Sequence, residues 1–112
     1  ALLAVLEHYH AGGFSLPFIA HKTSHAVADC FGINDRGYLR EGYWADLVLL
    51  DLEKPTLAEH KSVLSKCAWT PFDGYTFHSS IHSTIVSGQI AWSEDHLQQT
   101  ASGQRLEFHN SR

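Results

Sequence analysis

The chain contains no methionine, only three prolines and two cysteines in 112 residues. No apolar run approaches the roughly 20 residues that a membrane-spanning helix needs. Cys30 and Cys67 stand too far apart for a zinc-ligand pair, and two such residues make no disulfide framework, so both are expected as thiols in a reducing compartment. Basic charge is also scarce: the net charge is -4 and the pI about 6.1, which leaves no positive field to draw the chain to phosphate backbones or anionic lipid. Neither nucleic acid nor membrane is therefore expected as a partner. The opening residues carry Glu7 and no basic cluster, so no secretory signal is read there, and a cytoplasmic setting is expected. The first residues, "ALLAVLEHYH", follow a helical pattern with no Ser, Thr, Asp or Asn ahead of them to cap the free N–H groups. With no initiating methionine, the expectation is a piece of a longer protein whose helix starts upstream.

What remains is an ordinary globular composition, 44% hydrophobic and 18% charged, enough for one small core. Leu2, Val5, Leu6 and Tyr9 form one apolar helical stripe, which Gly12 and Gly13 end. Ser15 caps a second short helix with Pro17 in its opening turn, and Ser24 caps a third from His25 to Phe31, with Val27, Cys30 and Phe31 on a shared face. Gly32 takes the left-handed position after it, with Ile33 as its apolar follower. From Arg36 the pattern changes. "ADLVLLDL" is too short for a typical helix and apolar on both faces, which reads as a strand covered on both sides. A short helix is expected around Leu57 to Leu64, and "WTPFDGYTF" reads as a loop with a turn at Asp73-Gly74. "SSIHSTIVSGQIAWSE" reads as a hairpin about Ser87-Gly88, and the polar run after Trp92 as a mobile tail.

Nine histidines raise the question of a metal. His8 and His10 have the spacing that chelates on a strand, but they fall in a helical pattern, where residues two apart diverge by about 200°. His21 and His25 have the spacing of a zinc-binding helix but lack the glutamate of that motif, and a helix start at Thr23 or Ser24 would split them. His60, His78, His82, His96 and His109 do not cluster in sequence. Cys30, on an apolar face, reads as a packed thiol rather than a nucleophile. No nucleophile elbow, P-loop or dinucleotide fingerprint appears.

The segment "RGYLREGYWADLVLLD", with Gly37, Leu39, Gly42, Ala45, Asp46, the apolar run Leu47 to Leu50 and Asp51, resembles the segment of cyclic amidohydrolases where the chain leaves the catalytic barrel for a small β domain. "SHAVADCFGI" resembles the short helix before it, although Val27 stands where relatives often carry proline. "KCAWTPFDGYTFHSSIHSTIVSGQIAW" resembles the Pro-Phe-x-Gly loop and final hairpin of dihydroorotases and allantoinases, and "GQRLEF" is similar to a dihydroorotase ending. Together these stretches cover nearly the whole chain.

The resemblance implies an α+β fragment: residues 1–35 as the last helix of a TIM-type barrel with two short helices, 36–93 as an incomplete β-sandwich sheet with its loop and hairpin, and 94–112 as a polar C-terminal tail. It implies a parent that opens or closes a cyclic amide, dihydroorotate and carbamoyl aspartate for a dihydroorotase of pyrimidine biosynthesis. The centre would be one or two metals, usually zinc, held by His-x-His on the first barrel strand, two further histidines, an Asp and often a carboxylated lysine. None of those ligands matches a position here, so no catalytic, cofactor-binding or metal residue is assigned. Zinc and the small-molecule substrate belong to the parent, and the isolated chain is expected to be inactive. Its expected partners are the rest of the parent chain or, through unpaired sheet edges, copies of itself. An allantoinase- or hydantoinase-type parent, a free-standing binding module, and a metal carrier built on His21 and His25 stay open as alternatives.

Overall fold

A computed structural model describes residues 1–98 and 103–109. Helix α1 covers Leu2–His10 and runs out at Gly12, whose φ of 81° lies in the left-handed region. Ser15 then caps α2, Leu16–Ala20, with its hydroxyl accepting the Phe18 N–H at 3.2 Å and Pro17 in the first turn. Ser24 does not cap a new helix. Residues His21–His25 form a π-helical turn that carries α2 without a break into α3, Ala26–Phe31. The third helix thus needs no cap, because the backbone N–H groups at its start are already inside a helix. Gly32 ends it in the left-handed conformation, and the Ile33 N–H reaches back to the Ala28 carbonyl at 2.9 Å.

The face of α3 expected inside lies outside. Val27 and Phe31 are 40% and 66% exposed and Cys30 is an exposed thiol, while Ala28 is the buried member. A small residue is what that contact admits, because the Gly37 loop presses directly on it.

Strand β1, Leu47–Asp51, forms where the apolar run placed it, but it is not covered on both sides. It occupies the edge of an antiparallel sheet whose further strands, in order, are β4 (Ser80–Val86), β5 (Gln89–Ser93) and β6 (His96–Leu97), and Val48 and Leu49 remain 43% and 47% exposed. The hairpin is as read: β4 (Ser80–Val86) and β5 (Gln89–Ser93) flank Ser87 and Gly88. Both turn residues have positive φ, 50° and 80°, which matches the twist of a two-residue hairpin.

Two further readings change. Residues 57–64 do not make a helix: β2, Thr56–Leu57, pairs with β3, Thr76–Phe77, and a single 3-10 turn follows at His60–Ser62. Pairing across the loop satisfies backbone groups that a lone short helix would leave free. The polar run after Trp92 folds back as well, because Glu94 and Asp95 take left-handed φ values and set β6, His96–Leu97, against β5. Residues 99–102 and 110–112 of the expected tail lie outside the described residues. The ending returns to the helices: Phe108 bridges Ile33, and the His109 N–H donates to the Gly32 carbonyl at 2.9 Å.

The core is small. Among the described residues, Leu6, Ile19, Ala28 and Phe77 are its buried apolar members, and of these Leu6 is fully enclosed. The accessible surface is 8350 Å², whereas a folded monomer of this mass exposes about 6,200 Å². The radius of gyration, 15.5 Å, likewise exceeds the ~13 Å typical of this length. Among the described residues, large apolar side chains such as Phe31, Leu39, Leu64 and Trp69 stand exposed.

Candidate functional site

Two polar clusters hold the helical and β parts together. In the first, Glu7 of α1 reaches both ends of β3, and Tyr75, just before that strand, donates its hydroxyl to the carboxylate at 2.7 Å. The His78 N–H donates to the same group at 3.2 Å, and the His78 ring Nδ1 lies 2.9 Å from it. One turn on, His10 Nε2 shares a 2.7 Å hydrogen bond with Ser79, whose side chain is fully buried. The Tyr75 hydroxyl first, and then His78, hold the Glu7 carboxyl below its ordinary range against the opposing effect of partial burial. The same hydrogen bond raises the Tyr75 phenol, since losing its proton would set two negative charges together.

The second cluster explains the two glycines and the Ala-Asp step before β1. Arg36, 9% exposed, forms an ion pair with Asp46 and lies 5.0 Å over the Trp44 ring. The other oxygen of Asp46 accepts the Ser87 N–H at 2.8 Å, and the Gly88 N–H donates to Ala45 at 3.0 Å. Asp46 therefore fastens the entry of β1 to the tip of the β4–β5 hairpin. Gly37, at φ 82°, brings the loop so close to α3 that a β-carbon would stand 2.4 Å from that of Ala28. Gly42, at φ 84°, faces open space, so it is needed for its turn alone.

A groove of about 730 Å³ opens on the sheet, lined by Leu57, Leu64, Ile81, Trp92 and Leu97. Its rim mixes Lys54 and Lys61 with Asp51, Glu94 and Asp95, so it selects no single charge. A smaller apolar hollow of about 400 Å³ continues it to Leu3 of α1.

Of the histidines singled out in the sequence, His10 and His78 have ring centres 5.5 Å apart. His8 packs on Phe14, with ring centres 5.0 Å apart, and His10 is committed to Ser79. The helix boundary expected between His21 and His25 is absent, and their rings lie 6.0 Å apart, with His25 stacked on Tyr38 at 4.3 Å. Among the described residues, no three of His, Cys, Asp and Glu come together as a metal would require. The metal centre implied by the resemblance thus finds no ligand set in them. Cys67, exposed in its loop, is held below the ordinary thiol range by the Ser65 hydroxyl at 3.1 Å and then by the Trp69 backbone. The Glu7 cluster has no sequence signature, because its members stand 68 and 71 positions apart.

No family model matches the chain. Among curated proteins it is 30% identical over 109 residues to an allantoinase of Desulfitobacterium hafniense, a match that takes in 96% of this chain and 24% of that protein. It is 33% identical over 97 residues to a dihydroorotase of Halobacterium salinarum, across 85% of this chain and 22% of the relative. Among solved structures, an L-hydantoinase (dihydropyrimidinase) from Arthrobacter aurescens superposes with a TM-score of 0.76 at 26% identity, over 80% of this chain and 20% of that one. The chain is thus related, in sequence and in fold, to the cyclic amidohydrolases. Within that group its curated relatives bear the names dihydroorotase and allantoinase, and it spans about a quarter of the length of the two compared above.

Among the described residues, no helix is long and apolar enough to cross a membrane.

Proposed function

We propose that this chain is the C-terminal structural part of a metal-dependent cyclic amidohydrolase, with dihydroorotase as the parent activity. In this reading α1 is the last barrel helix, and the sheet is part of a small β domain that packs against the rest of the enzyme. The carrying observation is the combination of a match along nearly the whole chain with coverage of only a quarter of the relative. The surplus of exposed surface supports the same reading, since faces without partners here would be covered in a longer chain.

The parent would interconvert dihydroorotate and carbamoyl aspartate in the cytoplasm, with zinc lowering the pKa of its bound water. The residues doing so would lie on the barrel, outside this chain. The part described here would hold the last helix against the β domain through Glu7, Tyr75 and His78.

The test is to assay the product of the full reading frame and the isolated 112 residues side by side, with zinc, on dihydroorotate. Turnover by the longer protein alone is expected, and turnover by the isolated chain would overturn the assignment. An allantoinase- or hydantoinase-type parent is the second reading, favoured by the allantoinase match and the hydantoinase fold likeness. Activity of the longer protein on allantoin or a hydantoin, without activity on dihydroorotate, would select it.

A further inference from the structure

Residues 103–109 come back to the turn that follows α3, and every one of them is exposed. They are tied to it by single contacts rather than by a strand. The Asn34 N–H donates to the Glu107 carbonyl at 2.8 Å, the His109 N–H donates to the Gly32 carbonyl at 2.9 Å, and Phe108 makes an isolated bridge with Ile33. The His109 ring Nδ1 lies 2.8 Å from the Asn34 side-chain oxygen. Leu106 and Phe108, the large apolar side chains of this segment, remain 40% and 57% exposed. Exposed hydrogen bonds with little buried apolar area let a segment open locally while the rest of a fold stays closed.

The same segment touches a row of charge contacts that ends at the β4–β5 hairpin. Arg36 Nη2 donates to the Gln104 carbonyl at 3.3 Å, and Arg36 Nη1 pairs with Asp46 Oδ2. The other Asp46 oxygen takes the Ser87 N–H at 2.8 Å. One planar guanidinium, 9% exposed, therefore joins residues 103–109 to the hairpin tip.

We infer that residues 103–109 are a releasable strap, and that its release loosens the fastening of β1 to the hairpin tip through Arg36 and Asp46. In place, the Gln104 carbonyl fixes the guanidinium and keeps water from it on that side. The attraction between two charges rises about fourfold between bulk water and the surroundings of a protein surface, so the Arg36–Asp46 pair holds Asp46 most firmly while water is kept off. With the strap away the pair is solvated, and solvated pairs contribute little. Asp46 is then free to leave the Ser87 N–H. Coupling of this kind is reciprocal, so whatever unfastens Ser87 also weakens the strap. The entry of β1 thus responds to whatever engages residues 103–109. The inference rests on contacts within the chain and is independent of the amidohydrolase reading.

The test is amide hydrogen exchange on the whole chain, read at Asn34, at Ser87 and, as a remote reference, at Ala58, whose N–H donates to the Tyr75 carbonyl. His109→Pro removes both the N–H and the ring that tie the strap. It should speed exchange at Asn34 and, by about fivefold or more, at Ser87, with Ala58 unchanged. Phe108→Gly, a milder lesion, should give the same pattern at smaller amplitude. Arg36→Lys keeps the charge but lacks the planar fork that meets Gln104 and Asp46 together, so adding His109→Pro to it should no longer change Ser87. Asp46→Asn should in turn speed exchange at Asn34. Ser87 exchange left unmoved by both strap variants would overturn the inference. So would equal acceleration at all three amides, or a strap effect on Ser87 that persists beside Arg36→Lys.

Discussion

Replacing Gly37 by alanine sets a methyl group where the loop touches α3, and the structure gives the two parts of the penalty separately. The residue sits at φ 82°, which an L side chain adopts at about 1–2 kcal/mol. The new β-carbon would also stand 2.4 Å from that of Ala28 and 2.9 Å from the Ser24 carbonyl, neither of which is the free end of a flexible side chain. Forcing such a contact apart costs about 1–3 kcal/mol more. Gly42→Ala supplies the control: φ is 84°, but nothing lies within 4 Å, so only the first part applies. Urea unfolding followed by circular dichroism should therefore place Gly37→Ala about 1–3 kcal/mol below Gly42→Ala, a midpoint lower by roughly 0.3–3 M for urea slopes of about 1–3 kcal/mol/M. Adding Ala28→Gly to Gly37→Ala should return part of the difference in a double-mutant cycle. Equal midpoints for the two alanine variants, or no coupling to position 28, would refute the close approach.

Three further predictions rest on the polar clusters and the exposed thiol. The Glu7 carboxyl ionises below its ordinary range in the folded chain, so the stability it contributes is present above the unfolded pKa and lost as pH falls through the folded one. Thermal melts from neutral pH down to pH 3 should show a decline below about pH 4.5 that Glu7→Gln flattens, and an unchanged profile would remove the cluster from the account. Asp46→Ala should destabilise by about 1–3 kcal/mol, because it leaves the largely buried Arg36 and the Ser87 N–H without their acceptor. Denaturant unfolding checks this. Cys67 should react with a thiol reagent faster than Cys30, and Ser65→Ala should slow it, since the serine hydroxyl favours the thiolate.

The legible features were those fixed within a few residues. Ser15 before Pro17, Gly32 after the helix, and Ser87-Gly88 between apolar arms each state a local backbone geometry, and each holds. Where a partner far along the chain decides, the reading ran out. The strand at Leu47 to Leu50 was legible, but its place at an edge depends on which neighbours are present. Residues 57–64 carry enough apolar spacing for a helix, and the pairing of Thr56 with Phe77 overrides it. Glu94 and Asp95 carry no glycine, so the turn they make had no signal. The Glu7 cluster joins residues nearly seventy positions apart, a juxtaposition no motif encodes.

The return of the ending to the helices bears on the order in which this molecule assembles. The bridge from Ile33 to Phe108 closes a loop of about 75 residues, whereas the β4–β5 hairpin closes around two. Hairpins form within about 1–10 μs, and a contact spanning most of the sequence gains little until the intervening sheet has formed. Synthesis from the N-terminus also delivers Phe108 after the helices and the sheet. The Arg36 loop thus waits for residues 104–109 to supply the Gln104, Glu107 and His109 backbone contacts that complete it. The segment from Arg36 to Asp46, which carries the resemblance, is completed only after residues 104–109 have been made.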